Sequence, residues 1–232
     1  CYLGFPLLDE HYSIALPGVT DITGFPASGK SEFLLELLLN TSLFYGWKHL
    51  LYVPDVGDKN EIVAILIHKI SGKTFDKRFV NSNYISEQEV DRNLDWILHH
   101  FRIMIKDDLK VKITPYEFYD IAAKINKEVE GGIQTATIDS WKDLKHGIGM
   151  EGETFARDDK YLDDVLSYRN SMSELHKMHF FTVIHPVKTE ADKDGHRKPP
   201  TPYDLKGGGT WYDNGKCMIT VHRQSGHPNA VD

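Results

Sequence analysis

The octapeptide Gly24-Phe25-Pro26-Ala27-Ser28-Gly29-Lys30-Ser31 limits what this chain can fold into more than any other stretch. It fits G-x-x-x-x-G-K-[ST], a phosphate-binding loop. Gly24 and Gly29 allow the tight turn that aims several backbone N–H groups of the loop at phosphate oxygens. Lys30 brings a point charge to the β- and γ-phosphates, and Ser31 offers a hydroxyl to Mg²⁺. The flanks agree with this reading. Val19 to Thr23 reads as a strand entering the loop. Ser31 to Tyr45 reads as a helix leaving it, with Phe33, Leu34, Leu35, Leu37, Leu38 and Leu39 apolar on most sides and therefore buried. The dipole of that helix would point its positive end at the phosphates. A Gly-Pro-Ser turn between two core elements is the plainer reading of the octapeptide by itself; strand, loop and helix in register favour nucleotide binding.

Strands and helices alternate from there on. Lys48 to Pro54 is a short apolar strand that ends at Asp55. Asp58-x-x-Glu61 reads as a capping box for a helix through Ile62, Leu66 and Ile70, ending near Gly72. Ser86-x-x-Glu89 opens a second such helix, and Thr114-Pro115-Tyr116-Glu117 a third, with Pro at the first helical position. Arg102 to Ile105, Thr135 to Asp139, Phe180 to Ile184 and Lys216 to Val221 read as strands, and Asp158 to Met178 as a long helix. Ser140 to Ala156 reads as a mobile loop, and Pro186 to Gly209 as a long polar one. This alternation predicts an α/β fold with a mostly parallel central sheet covered by helices on both faces.

The chain has 232 residues, enough for one sizeable domain. Residues 1–18 read as an N-terminal arm or the end of a linker, and 19–232 as the nucleotide-binding domain. The first residue is Cys1 rather than Met, so the chain is expected to be a piece of something longer, with its C-terminal end cut short. The net charge of −7 argues against a broad basic face that coats nucleic acid. It is compatible with a few loops gripping a single strand inside a ring. Two cysteines suggest no disulfide framework, and no apolar run reaches spanning length. The expectation is a soluble, intracellular protein of a phage, a bacterial cytoplasm or an organelle.

Nucleotide hydrolysis needs a phosphate cradle, a metal holder, a group to orient water and a cation for transition-state charge. Asp139, at the tip of an apolar strand, is the candidate that holds Mg²⁺ together with Ser31. Asp55 is the candidate that positions water, although an acid in a turn before a helix reads equally well. His185, at the end of the next strand, could sense the γ-phosphate. Arg223 closes the last strand and could reach into a neighbouring copy's site; a surface arginine is the bland alternative. His176 and His179 lie close together, but no cysteine pair or acid completes a zinc set.

The segments GFPASGKSEFL (Gly24 to Leu34), YGWK (Tyr45 to Lys48), TATIDSW (Thr135 to Trp141), FFTVIHPVK (Phe180 to Lys188) and YDLKGGGTWYDNGKCMITVHR (Tyr203 to Arg223) together resemble the RecA-like motor domain of DnaB-type replicative ring helicases. Within that family they are similar to the Twinkle-like primase–helicases. The resemblance runs from about Pro17 to Gln224. It implies ATP or another NTP or dNTP with Mg²⁺, a hexameric ring on single-stranded DNA, DNA unwinding, and a primase domain or partner. It implies that Asp139 is the Walker B acid, that His185 senses phosphate and that Arg223 is a finger into the adjacent subunit. It also implies that Lys188, Lys193, Arg197, Lys198 and Lys206 contact the DNA backbone, although acids interleave with them. The family has Glu where Asp55 stands, so the shorter side chain would act through a second water or more slowly. The alternative function is a recombinase-like or regulatory ATPase that binds DNA or protein without unwinding. A small-molecule kinase would need a lid with paired arginines, and the loop after His185 offers only Arg197.

Overall fold

The computed structural model describes residues 2–55, 58–75, 83–109, 112–150, 157–187 and 197–223. Its elements in chain order are α1 (Pro6–Asp9), β1 (Gly18–Thr23), α2 (Lys30–Tyr45), β2 (His49–Tyr52), α3 (Lys59–Ser71), α4 (Glu87–His100), β3 (Phe101–Met104), α5 (Lys106–Leu109), α6 (Pro115–Glu128), β4 (Thr135–Asp139), α7 (Asp158–His176), β5 (His179–Ile184), α8 (Gly208–Asn214) and β6 (Met218–Thr220). The six strands form one sheet in the order β3-β2-β4-β5-β1-β6, and every pairing is parallel.

Side chains alternate across the sheet as the period of two requires. Ile22, Leu51, Val53, Phe181 and Val183 pack with α2, α3 and α4 on one face. Val19, Leu50, Tyr52, Ala136, Ile138 and Phe180 pack with α6 and α7 on the other. The N-terminal arm joins the first layer through buried Leu3 and Ile14. The predicted caps form at Ser86 and Thr114, where each hydroxyl and its partner glutamate make a reciprocal box. At Asp58 the carboxylate instead accepts from the N–H of Asn60. The long polar stretch after β5 holds the start of α8, a seven-residue helix that the glycines at 207–209 had masked as loop.

β1 is buried along its whole length, yet its sequence GVTDIT is half polar. Each polar side chain except that of Thr23 has a designated partner. On one face, Thr20 Oγ1 meets Tyr12 Oη at 2.8 Å and His179 Nε2 at 2.9 Å. On the other, Asp21 accepts from Arg169 of α7 at 2.6 Å, both groups being fully buried. Arg169 also donates to Thr182 of β5 at 3.2 Å. One ion pair therefore clamps α7 across β1 and β5.

Losing one member of such a pair strands the other as a buried charge, which costs about 3–5 kcal/mol. Arg169→Ala is expected to lose that much stability in urea denaturation, and Asp21→Leu combined with Arg169→Met to recover most of it. A second expectation concerns pH. Burial pushes the pKa of His49 down to about 3 and that of His179 to about 4. Both stay neutral in the fold and take up a proton on unfolding below about pH 6.5. Their contribution is full above that pH and is lost as pH falls toward 4, at up to about 1.4 kcal/mol per pH unit for each. Urea denaturation at pH 7 and pH 5 should show the lower stability at pH 5.

Candidate nucleotide site

In a parallel sheet all carboxyl ends lie on one rim. The register aligns Thr23 with Ile184 and Asp139 with Val183, so the residues that follow β1, β4 and β5 emerge side by side. β1 feeds the phosphate loop, and the chain then crosses over β5 and β4 to reach β2. The crevice at such a reversal of direction is where open α/β sheets take ligands. A cavity of about 430 Å³ lies there, lined by Pro26, Ala27, Gly29, Lys30, Ser31, Glu32, Asp55, Asp139, Lys142 and His185 with Thr137, Ser140, Val53 and apolar residues of α2, α3 and β2.

The loop has the backbone that phosphate binding needs. Ala27 and Gly29 both have positive φ, 61° and 91°. Gly29 is the N-cap of α2 and no side chain caps the helix, which leaves the first-turn amides to a ligand. Ser28 Oγ and Thr137 Oγ1 are buried without a hydrogen-bond partner among the described residues. Gly24 has φ 154°, and a Cβ there would come within 2.2 Å of the Val221 carbonyl oxygen and 2.6 Å of Ser28 Oγ. No other residue fits between the loop and the segment after β6.

The polar groups of the site bond to one another. Ser31 Oγ donates to Asp139 Oδ2 at 2.5 Å, spanning the gap between α2 and β4. Lys30 Nζ folds back to the carbonyl oxygens of Gly24 at 2.9 Å and Phe25 at 2.8 Å. Lys142 Nζ lies 3.4 Å from Asp55 Oδ2. Burial pushes the Asp139 pKa up, against the Ser31 hydrogen bond and the Lys30 charge. Burial likewise pushes the Lys30 and His185 pKa values down, and the neighbouring lysine charges add to the shift at His185. His185 is thus a neutral hydrogen-bonding group at pH 7.

Ser31, Asp139, orphaned Ser28 Oγ and the uncapped amides of α2 suit a triphosphate with Mg²⁺. The donors are hard oxygens, the kind Mg²⁺ takes together with water and phosphate. Among the described residues no cluster of three His, Cys, Asp or Glu side chains could hold a metal by itself. A magnesium ion that relies on substrate phosphates needs no such cluster.

The cavity brings together Lys30, Ser31, Asp55, Asp139 and His185. Arg223 follows β6, is exposed, and does not line the cavity of its own chain. Arg197 stacks its guanidinium 5.4 Å from the centre of the Phe25 ring, on the phosphate loop. Lys206 pairs with Asp158 at 2.7 Å, and Lys198 is exposed. Lys188 and Lys193 lie outside the described residues. Sequence reasoning missed Lys142, which sits on a 3-10 turn (Trp141–Asp143) in the stretch read as a mobile loop. The signal was Ser140-x-x-Asp143, a cap-like pair whose side chains bond at 2.6 Å.

Six parallel strands with a phosphate loop after the first and an acid at the end of the fourth define a RecA-like P-loop NTPase fold. No family model matches the chain. It is 25% identical over 224 residues to the Twinkle homolog protein, chloroplastic/mitochondrial, of Arabidopsis thaliana; the match covers 95% of this chain and 30% of that protein. Its fold is similar to a solved ATPase domain, with TM-score 0.69 and 16% identity over 94% of this chain and 74% of that one. It is similar also to a DnaB-like replicative helicase solved for its interactions with primase, with TM-score 0.70 and 15% identity over 94% of this chain and 51% of that one. The resemblance drawn from the motifs is borne out by these likenesses. Among the described residues no helix is long and apolar enough to cross a membrane.

Gly24→Ala is expected to destabilise the fold by about 1–3 kcal/mol, the usual cost of overpacking, because its Cβ meets backbone rather than a flexible side chain. Thermal denaturation of the variant measures it.

Proposed function

We propose that the chain is the NTP-hydrolysing motor domain of a replicative DNA helicase, which works as a hexameric ring on single-stranded DNA and associates with a primase domain or partner. The single observation that carries this reading is the Ser31–Asp139 hydrogen bond across a cavity that Lys30, Asp55 and His185 also line. The likeness to the Twinkle homolog and to the DnaB-like helicase supports helicase over recombinase.

In this reading the amides of the loop from Gly24 to Ser31 and the Lys30 ammonium hold the β- and γ-phosphates. Lys30 leaves the Gly24 and Phe25 carbonyls to do so. Ser31 and Asp139 hold Mg²⁺, which when bound neutralises phosphate charge. Asp55 accepts a hydrogen bond from the attacking water and orients it. His185, neutral, bonds to a γ-phosphate oxygen and loses that bond on hydrolysis. The loop after it carries Arg197, Lys198 and Lys206, with Lys188 and Lys193, onto the DNA backbone. Arg223 completes the site of the neighbouring copy, where its planar fork matches phosphate. An organelle, phage or bacterial cytoplasm is the proposed setting.

ATP hydrolysis should be stimulated by single-stranded DNA and fall at least about 100-fold in Lys30→Ala. Arg223→Ala should fall comparably, and mixing it with Lys30→Ala should restore part of the rate, since mixed interfaces unite an intact loop with an intact arginine. Failure of an oligomeric full-length form to separate a forked duplex would count against the helicase reading.

A further inference from the structure

We propose that Lys142 is a γ-phosphate ligand supplied by the same chain, which holds Asp55 until a triphosphate arrives and then exchanges that carboxylate for phosphate. The inference rests on the nucleotide reading above and adds to it a residue that distinguishes triphosphate from diphosphate.

The placement of Lys142 is built. Its 3-10 turn begins just beyond Asp139 and is pinned at both ends. Ser140 Oγ bonds to Asp143 at 2.6 Å, and the Trp141 ring packs edge-on against buried Trp211 with centroids 5.2 Å apart. The Trp141 carbonyl oxygen is 2.7 Å from His146 Nε2. With the backbone fixed, the four-carbon side chain alone moves the charge. It lines the same cavity as Lys30, Ser31, Asp55, Asp139 and His185.

The energetics allow exchange. Lys142 and Asp55 are 57% and 60% exposed, and their 3.4 Å contact is long for a charge-assisted hydrogen bond. Exposed ion pairs of this kind contribute little. Releasing Asp55 therefore costs little against contact with a doubly charged terminal phosphate. The phosphate also needs the cation. Asp55, Asp139 and Glu32 bring three carboxylates to the cavity against the single charge of Lys30, so a third phosphate is held better when Lys142 comes forward. Once Lys142 turns to the phosphate, Asp55 is free to orient water, so release of the carboxylate is tied to arrival of the substrate. Removing a lysine that merely neutralised Asp55 would cost the triphosphate nothing once Asp55 is replaced by Asn, whereas a phosphate ligand would still be missed, and this difference separates the two roles.

The test measures binding of a fluorescent non-hydrolysable ATP analogue and of equally labelled ADP, both with Mg²⁺, by the whole chain. Lys142→Ala should weaken the triphosphate analogue about tenfold, equivalent to about 1.4 kcal/mol, and leave ADP within about twofold; Lys142→Arg should recover most of the loss. Asp55→Asn should tighten the triphosphate analogue, and a double-mutant cycle should show that gain disappear in the Lys142→Ala background. Equal loss for both nucleotides, no loss for either, or a gain from Asp55→Asn that persists without Lys142 would overturn the proposal while leaving the nucleotide site standing. Failure of the unaltered chain to bind either nucleotide would overturn both.

Discussion

The amides at the start of α2 have no side-chain cap, and they stand just beyond the carboxyl end of a strand buried along its whole length. Helix N-termini in folded proteins find partners for these groups in side chains, water or ligand. Here no side chain of the preceding loop caps them, and Gly24 is pressed against the carbonyl of Val221 with no room for a side chain. The rest of the molecule keeps that arrangement rigid. The buried Asp21–Arg169 pair ties β1 to α7, and Thr20 ties it to Tyr12 and His179 on the other face. A half-polar strand inside a sheet would otherwise be a weak place. With its partners it fixes the point from which the loop departs.

Without ligand the site satisfies itself. Ser31 bonds to Asp139, Lys30 to the loop carbonyls and Lys142 to Asp55. Each contact joins a group suited to phosphate or metal to one that must be released for binding. A triphosphate with Mg²⁺ would exchange these three internal contacts, each of which already uses a lysine or a carboxylate, for contacts with phosphate and metal. The pairing also lets Lys30 and Lys142 face one cavity with Asp55, Asp139 and Glu32.

Local patterns were legible in the sequence. The phosphate loop, the reciprocal caps at Ser86 and Thr114 and the acids at strand ends depend on residues within a few positions of one another, and they appear where the pattern puts them. The convergence of Lys30, Asp55, Asp139 and His185 was legible at one remove, because a parallel sheet sends all its strand ends to the same rim. Contacts across the fold were not. Arg169 reaches Asp21 over 148 residues, and no local pattern in its helix marks the pairing. Lys142 was hidden because three glycines nearby suggested a loop, whereas Trp141 packs against distant Trp211 and Ser140 bonds to the Asp143 carboxylate to anchor its turn. α8 was lost behind the glycines at 207–209, which wind a turn before the helix instead of preventing one. The role proposed for Arg223 depends on a neighbouring copy, a relation that no pattern within one chain encodes.

The central claim is that the uncapped helix start and the Ser31–Asp139 contact are two sides of one phosphate–magnesium site. A crystal structure of the chain with Mg²⁺ and a non-hydrolysable ATP analogue tests it most directly. The account predicts β- and γ-phosphates on the amides of residues 27–31, with Mg²⁺ separating Ser31 Oγ from Asp139 and the 2.5 Å hydrogen bond broken. A nucleotide bound elsewhere, or one bound with the Ser31–Asp139 hydrogen bond intact, would contradict it.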